Sequence, residues 1–206
     1  MEWEETVAAL RSELELKHEA REAALKQCRT VVQLCSKAIK CVHRDEHESA
    51  HMLIEEARIL ASQTRHVLSS FSDLLFAGYV QDAEKELVEA AMTYAIVTDS
   101  DWPSAYDFGV SAQTYLNGAG EAASELRRYA LDKLRAGDLD EAERLLGIME
   151  GIYDDLTTFD FPDSLTGGLR RTCDALRAVV ERTRSDLTMT RVQHDLMVEL
   201  RHTHSH

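Results

Sequence analysis

Proline and glycine are scarce in this chain, with 2 and 9 of 206 residues. So few breakers exclude an all-β chain built on tight turns and favour long helices. There is no Gly-rich phosphate loop and no hairpin signal. Nor does any stretch approach the roughly 18–20 apolar residues of a membrane span. The N-terminus, MEWEETVAAL, is acidic, whereas a secretory signal opens basic and then runs apolar, so a cytoplasmic location is expected. The four cysteines form no C-x-x-C pair, and Cys28, Cys35 and Cys41 share one helical stretch; reduced, partly buried thiols are expected rather than a zinc site. Lysine is also rare, with 6 against 17 arginines. Acids outnumber bases 37 to 23, for a net charge of −14. That balance disfavours a simple basic-surface nucleic-acid binder and an anionic-membrane binder, and leaves room for a local basic patch.

What is present is helical periodicity. Apolar residues recur at three- and four-residue steps from Trp3 to Val42, which predicts one long first helix. A second is expected over about 46–69 and a third over 71–97, followed by a loop at 98–110. Ser111 can cap a fourth helix and Gly137 stop it. Asp138, with Glu141 three residues on, opens a fifth to about Phe159. A last helical region runs over 165–200, with breaks considered at Gly167–Gly168 and Ser185. The expectation is an all-α, multi-helix bundle in one domain, residues 1–200, with 201–206 a disordered His-rich tail.

Residues 47–51, His-Glu-Ser-Ala-His, spell H-E-x-x-H, the spacing that puts two zinc ligands on one helix face. A wet helix start, His43-Arg-Asp-Glu46, precedes it and no third ligand is evident, so the match reads as a coincidence. Charge is uneven further on. Residues 137–163 hold nine acids against Arg144, and residues 164–191 hold six arginines (170, 171, 177, 182, 184, 191) against three acids. The first stretch reads as a solvated face. The second is either salt-bridged or a place for an anionic ligand.

The third helix carries carboxylates where an apolar stretch should exclude them. Glu86 and Glu89 lie at i, i+3 on one face among Leu87, Val88, Ala90, Ala91 and Met92, with Asp82 one turn earlier. Like charges at that spacing repel and a buried carboxylate needs a partner. Lys85 is expected to point elsewhere. The fourth helix repeats the pattern, with Glu121 and Glu125 at i, i+4 beside Gly118, Ala119, Gly120, Ala122 and Ala123. Small residues there let another helix approach closely. Two readings stay open on these residues alone: salt bridges, or an all-oxygen site suited to Mg²⁺ or Mn²⁺. The absence of an E-x-x-H partner argues against a di-iron centre.

Several segments, in order, resemble the translin/TRAX family in its archaeal branch. They are Ala38-Ile-Lys-Cys-Val-His-Arg44, Ala77-Gly-Tyr-Val-Gln-Asp-Ala83 leading into Glu86-Leu-Val-Glu-Ala90, Tyr115-Leu-Asn-Gly118, Ser124-Glu-Leu-Arg-Arg128, Phe161-Pro-Asp163, Gly168-Leu-Arg-Arg171 and Glu181-Arg-Thr-Arg-Ser-Asp-Leu187. The resemblance spans about residues 19–200. It implies helical protomers assembled as a homo-octamer or other homo-oligomeric hollow shell around single-stranded RNA, with single-stranded DNA as a second ligand. It also implies that TRAX-type members are Mg²⁺-dependent endoribonucleases, while translin-type members bind without cutting. The family's catalytic, metal-holding carboxylates fall on Glu86, Glu89, Glu121 and Glu125, with Glu121 where the family usually has Asp. Charge clustering adds Lys37, Lys40, His43 and Arg44 of the first helix region and Arg170, Arg171, Arg182 and Arg184 of the last as candidate nucleic-acid contacts. The expected function is a metal-dependent endoribonuclease. The alternatives are a non-catalytic nucleic-acid binder and a purely structural oligomer.

Overall fold

The computed structural model describes residues 2–204. Among them there are nine helices and no strand. These are α1 (Trp3–Val42), α2 (His47–Leu68), α3 (Ser72–Leu75), α4 (Gly78–Val97), α5 (Ala105–Phe108), α6 (Ala112–Ala136), α7 (Leu139–Thr157), α8 (Asp163–Thr166) and α9 (Leu169–His204). None of them is long and apolar enough to cross a membrane.

The expected stop signals act as local chemistry predicts. Ser111 accepts a hydrogen bond from the Thr114 amide at the start of α6, and Gly137 ends that helix with φ of 83°, a left-handed conformation that costs glycine little. Asp138 accepts from the Glu141 amide to open α7. Two boundaries differ from expectation. The third helix is broken: α3 ends at Leu75, Ala77 is extended (φ −68°, ψ 147°), and α4 begins at Gly78. The break redirects the chain, so that Leu74 stays in the core while Phe76 is exposed and α4 runs through the middle of the bundle. The break considered in the last region lies at Gly167 and Gly168, both at positive φ, and α9 runs unbroken past Ser185. It continues through His204, so residues 201–204 are helical rather than disordered; no glycine or proline interrupts them. Residues 205–206 lie outside the described residues.

Two apolar cores share α4. One side of α4, with Leu87, Ala90 and Ala91, packs on α1 and α2. The other, with Val88, Met92 and Ile96, packs on α6, α7 and α9. Leu87, Met92 and Ile96 are each at most 2% exposed, and full burial of each such side chain is worth about 1.5–3 kcal/mol. The first turns of α1 take no part. Burial on that helix begins at Ala24, and Leu10, Leu14 and Leu16 are more than half exposed.

The α4–α6 contact is unusually close because Gly118 has no side chain. A Cβ there would sit 2.7 Å from Val88 Cβ and 2.9 Å from the Lys85 carbonyl oxygen. Gly120 does the same toward α9, with Thr172 Cγ2 at 2.6 Å from its ideal Cβ. Neither the Val88 Cβ nor the Lys85 backbone can swing away as a flexible chain end would. Gly118→Ala should therefore cost stability, by about 1–3 kcal/mol as for other overpacked sites, despite alanine's better helix propensity. Thermal melting against wild type measures it, and an unchanged or higher midpoint would contradict the close-contact account.

Candidate functional site: a carboxylate cluster between two helices

The close approach of α4 and α6 aligns two short runs of acids. Glu86 and Glu89 share one face of α4 because they are one turn apart, and Glu121 and Glu125 do so on α6. Glu86, Glu89 and Glu121 each offer a carboxylate oxygen, and the three oxygens lie within 4.8 Å of one another. All three residues are half-buried. Such a donor set is hard, anionic and all oxygen. It fits Mg²⁺ or Mn²⁺ and not a thiophilic ion.

The cost of gathering these charges shows in the acids themselves. Burial, and then the charges of Glu86, Glu121 and Glu125, push Glu89 up to about 8. Glu86 is raised as well, by burial first and then by Glu121. Behind the pair, the Cys35 thiol of α1 is pushed up to about 12 by burial and by Glu86 and Glu89, so it stays an inert wall.

The surrounding groups take positions that differ from the sequence expectation. Lys85 does not point elsewhere: its Nζ lies 2.7 Å from Glu121 Oε1. His43 was expected among the nucleic-acid contacts, yet its side chain is only 2% exposed and its Nε2 lies 2.5 Å from Glu125 Oε1. The turn after α1 folds His43 inward onto α6. Its Nδ1 is buried with no hydrogen-bond partner, a state that costs about 1–3 kcal/mol. Glu125 itself stands outside the close trio, near enough for its charge to raise Glu89. A fifth acid, Glu84, is the most buried of the helix and is held by Arg65 of α2 at 2.6 Å. Burial still raises it against the opposing guanidinium.

The other candidate residues divide. Lys37, Lys40 and Arg44 are exposed at the end of α1 and in the turn that follows. Arg171 is exposed and lines a hollow of about 250 Å³ together with Lys85, Glu121, Gln113 and Asn117, so the structure brings it beside the cluster. Arg170 faces a different hollow, with Tyr153, Phe161 and Asp174. Arg182 is exposed and turns its Nε to the Ala178 carbonyl of its own helix. Arg184 is committed to Glu150 of α7 and to Glu181; for it, the salt-bridge reading of the arginine run holds. The H-E-x-x-H histidines gather no ligand set. His47 Nε2 is 3.8 Å from Asp45, and the His51 ring rests 5.7 Å from that of Tyr94.

Two solved structures carry nearly the whole chain in the same arrangement. They are AfC3PO in complex with duplex RNA, and AfC3PO alone. Each is 35% identical, superimposes at a TM-score of 0.85 over 91% of this chain, and is covered over 97% and 98% of its own length, respectively. An uncharacterized protein of Methanocaldococcus jannaschii is 31% identical over 175 residues, 83% of this chain and 76% of that protein.

The chain belongs to the translin/TRAX family.

Within it, the match to AfC3PO places the chain with the archaeal C3PO type. The structure of apo-NeC3PO, 22% identical with a TM-score of 0.81 over 89% of this chain, shares the fold. No protein-family model matches the chain.

The acid cluster of this translin/TRAX protein sets a pH dependence. Unfolded Glu89 loses its proton near 4.5, whereas folded Glu89 keeps it to about 8. Its contribution to stability is full below 4.5 and is lost as pH rises through 8, because unfolding releases a proton in that window. In EDTA the wild type should therefore melt several degrees lower at pH 9 than at pH 6. Glu89→Gln should flatten this difference. Mn²⁺ at pH 9 should raise the wild type more than the variant. Calorimetry across pH reads all three; identical profiles for the two proteins would refute the assignment.

Proposed function

We propose that this protein is a Mg²⁺-dependent endoribonuclease acting on single-stranded RNA inside a homo-oligomeric, octamer-like shell. The observation that carries the reading is the convergence of carboxylate oxygens of Glu86, Glu89 and Glu121 to within 4.8 Å of one another, at positions onto which the family resemblance carries the catalytic carboxylates. The RNA complex of AfC3PO, 35% identical over almost its full length, supports RNA as the ligand.

Glu86, Glu89 and Glu121 would hold the ion. Mg²⁺ or Mn²⁺ supplies, when bound, a Lewis acid for a phosphate oxygen and a lowered pKa for water. The chain's own groups do the rest. Glu125 stands beside the trio and can take the proton of the attacking water. The water oxygen forms the new bond to phosphorus, one bridging P–O bond breaks, and the departing sugar oxygen takes a proton from solvent. Lys85, now paired with Glu121, would be released if that carboxylate held a cation, and its ammonium could then meet a phosphate. Arg171, together with Lys37, Lys40 and Arg44, supplies positive charge for the RNA backbone.

A second reading, binding without cleavage, is favoured by one observation: the Lys85–Glu121 ion pair already neutralises part of the cluster. Labelled single-stranded and duplex RNAs, each with Mg²⁺, Mn²⁺ or EDTA, separate the two. Metal-dependent cleavage of single strands, lost to the EDTA level in Glu86→Ala and Glu89→Ala, is the expected result. Tight binding with no cleavage in any metal would leave the binder. Cleavage of duplex alone would correct the substrate.

A further inference from the structure

Four carboxylates face one another across α4 and α6, but only three close on a common centre. Something holds the fourth aside. Glu125 Oε1 is 2.5 Å from His43 Nε2, reached across 82 residues of sequence. His43 cannot simply swing away, since its side chain is 2% exposed. The turn that carries it is strapped to α6 a second time: Tyr129, one helical turn beyond Glu125, donates its hydroxyl to Asp45 at 2.8 Å. Asp45 sits at φ of 57°, a left-handed conformation that a non-glycine residue adopts at a cost. The turn also leaves His43 Nδ1 buried without a partner. A strained turn that strands a ring nitrogen is poor design for stability alone, and it makes sense if what matters is where Nε2 points.

We propose that His43 is a positioning residue that holds Glu125 out of the metal's ligand set, so that three carboxylates bind the ion and the fourth orients the attacking water. Mg²⁺ dehydrates reluctantly and is usually bound through only one or two carboxylates. A fourth carboxylate drawn onto it would displace water that the reaction needs. With Oε1 engaged by Nε2–H, Glu125 keeps Oε2 for that water. The inference rests on the nuclease reading above, but its first test does not depend on turnover.

Mn²⁺ binding to the full chain is titrated for wild type, Glu89→Gln, Glu125→Gln, His43→Leu and His43→Gln, with RNA cleavage measured in parallel. Glu89→Gln should lose affinity by the margin of a lost coordination partner, about 10–100-fold. Glu125→Gln and His43→Leu should bind Mn²⁺ as tightly as wild type or tighter. Cleavage should collapse in His43→Leu through kcat, with KM unmoved, and recover in His43→Gln, whose amide N–H can replace Nε2–H. Circular dichroism checks folding; should His43→Leu not fold, the near-isosteric Glu125→Gln and the donor-preserving His43→Gln carry the test. The proposal is overturned if Glu125→Gln loses Mn²⁺ as Glu89→Gln does, if folded His43→Leu cleaves like wild type, or if folded His43→Gln is as inactive as His43→Leu. Wild type that binds Mn²⁺ without cutting any RNA removes the nuclease reading, while the affinity of Glu125→Gln still decides whether Glu125 is a ligand.

Discussion

The backbone-to-backbone contact of α4 and α6 is the constraint on which the site depends. At Gly118 there is no room for a Cβ: Val88 and the Lys85 carbonyl already occupy the space. Ordinary helix packing keeps axes 8–10 Å apart, and acids facing each other across such a gap keep water between them. Removing the side chains from one helix brings the acid faces together, so that Glu121 meets Glu86 and Glu89 within coordination reach. The run of Gly118, Ala119, Gly120, Ala122 and Ala123 therefore serves packing and gathers the acids at once. The same run lets α9 close on the other side, where Thr172 fits over Gly120.

Gathering acids inside a bundle requires compensation, and the fold distributes it. Lys85 takes Glu121, His43 takes Glu125 and Arg65 takes Glu84. Glu86 and Glu89 have no such direct ion pair, and burial together with neighbouring carboxylates shifts them upward, Glu89 the further. Both belong to the trio, and only the charge of Lys85 relieves them, from a distance. Clustered acids with shifted pKa values are the electrostatic pattern that marks this place as a candidate site.

Much of this was legible in the sequence. Helix ends set by Ser111, Gly137 and Asp138 are local events, written within four residues of where they act. The acids at i, i+3 and i, i+4 were readable for the same reason, since helical periodicity alone fixes their faces. What the sequence did not disclose were the partners. Lys85 finds Glu121 across 36 positions, His43 finds Glu125 across 82, and Arg65 finds Glu84 across 19. Charge clustering assigned His43 to a surface because a polar turn surrounds it. The one available hint was its place at the end of the buried stripe Val31, Cys35, Ala38 and Val42, which continues the inward face of α1. Arg184 lies in a basic run of sequence, yet its side chain spans to α7. The break at Ala77 has no strong local mark, because Gly78 is a lone glycine and no proline stands between Phe71 and Val97.

The place of α4 between two cores has a consequence for cooperativity. Neither the α1–α2 core nor the α6–α7–α9 core is closed without it, because each borrows one of its faces. Opening either half exposes apolar surface on the helix that the other half needs, so the two cannot melt as separate foldons. The acids Glu86 and Glu89 thus ride on the helix that both cores share. By this argument, fluctuation at the bundle's edges, or in the exposed start of α1, is decoupled from the spacing of those acids on α4.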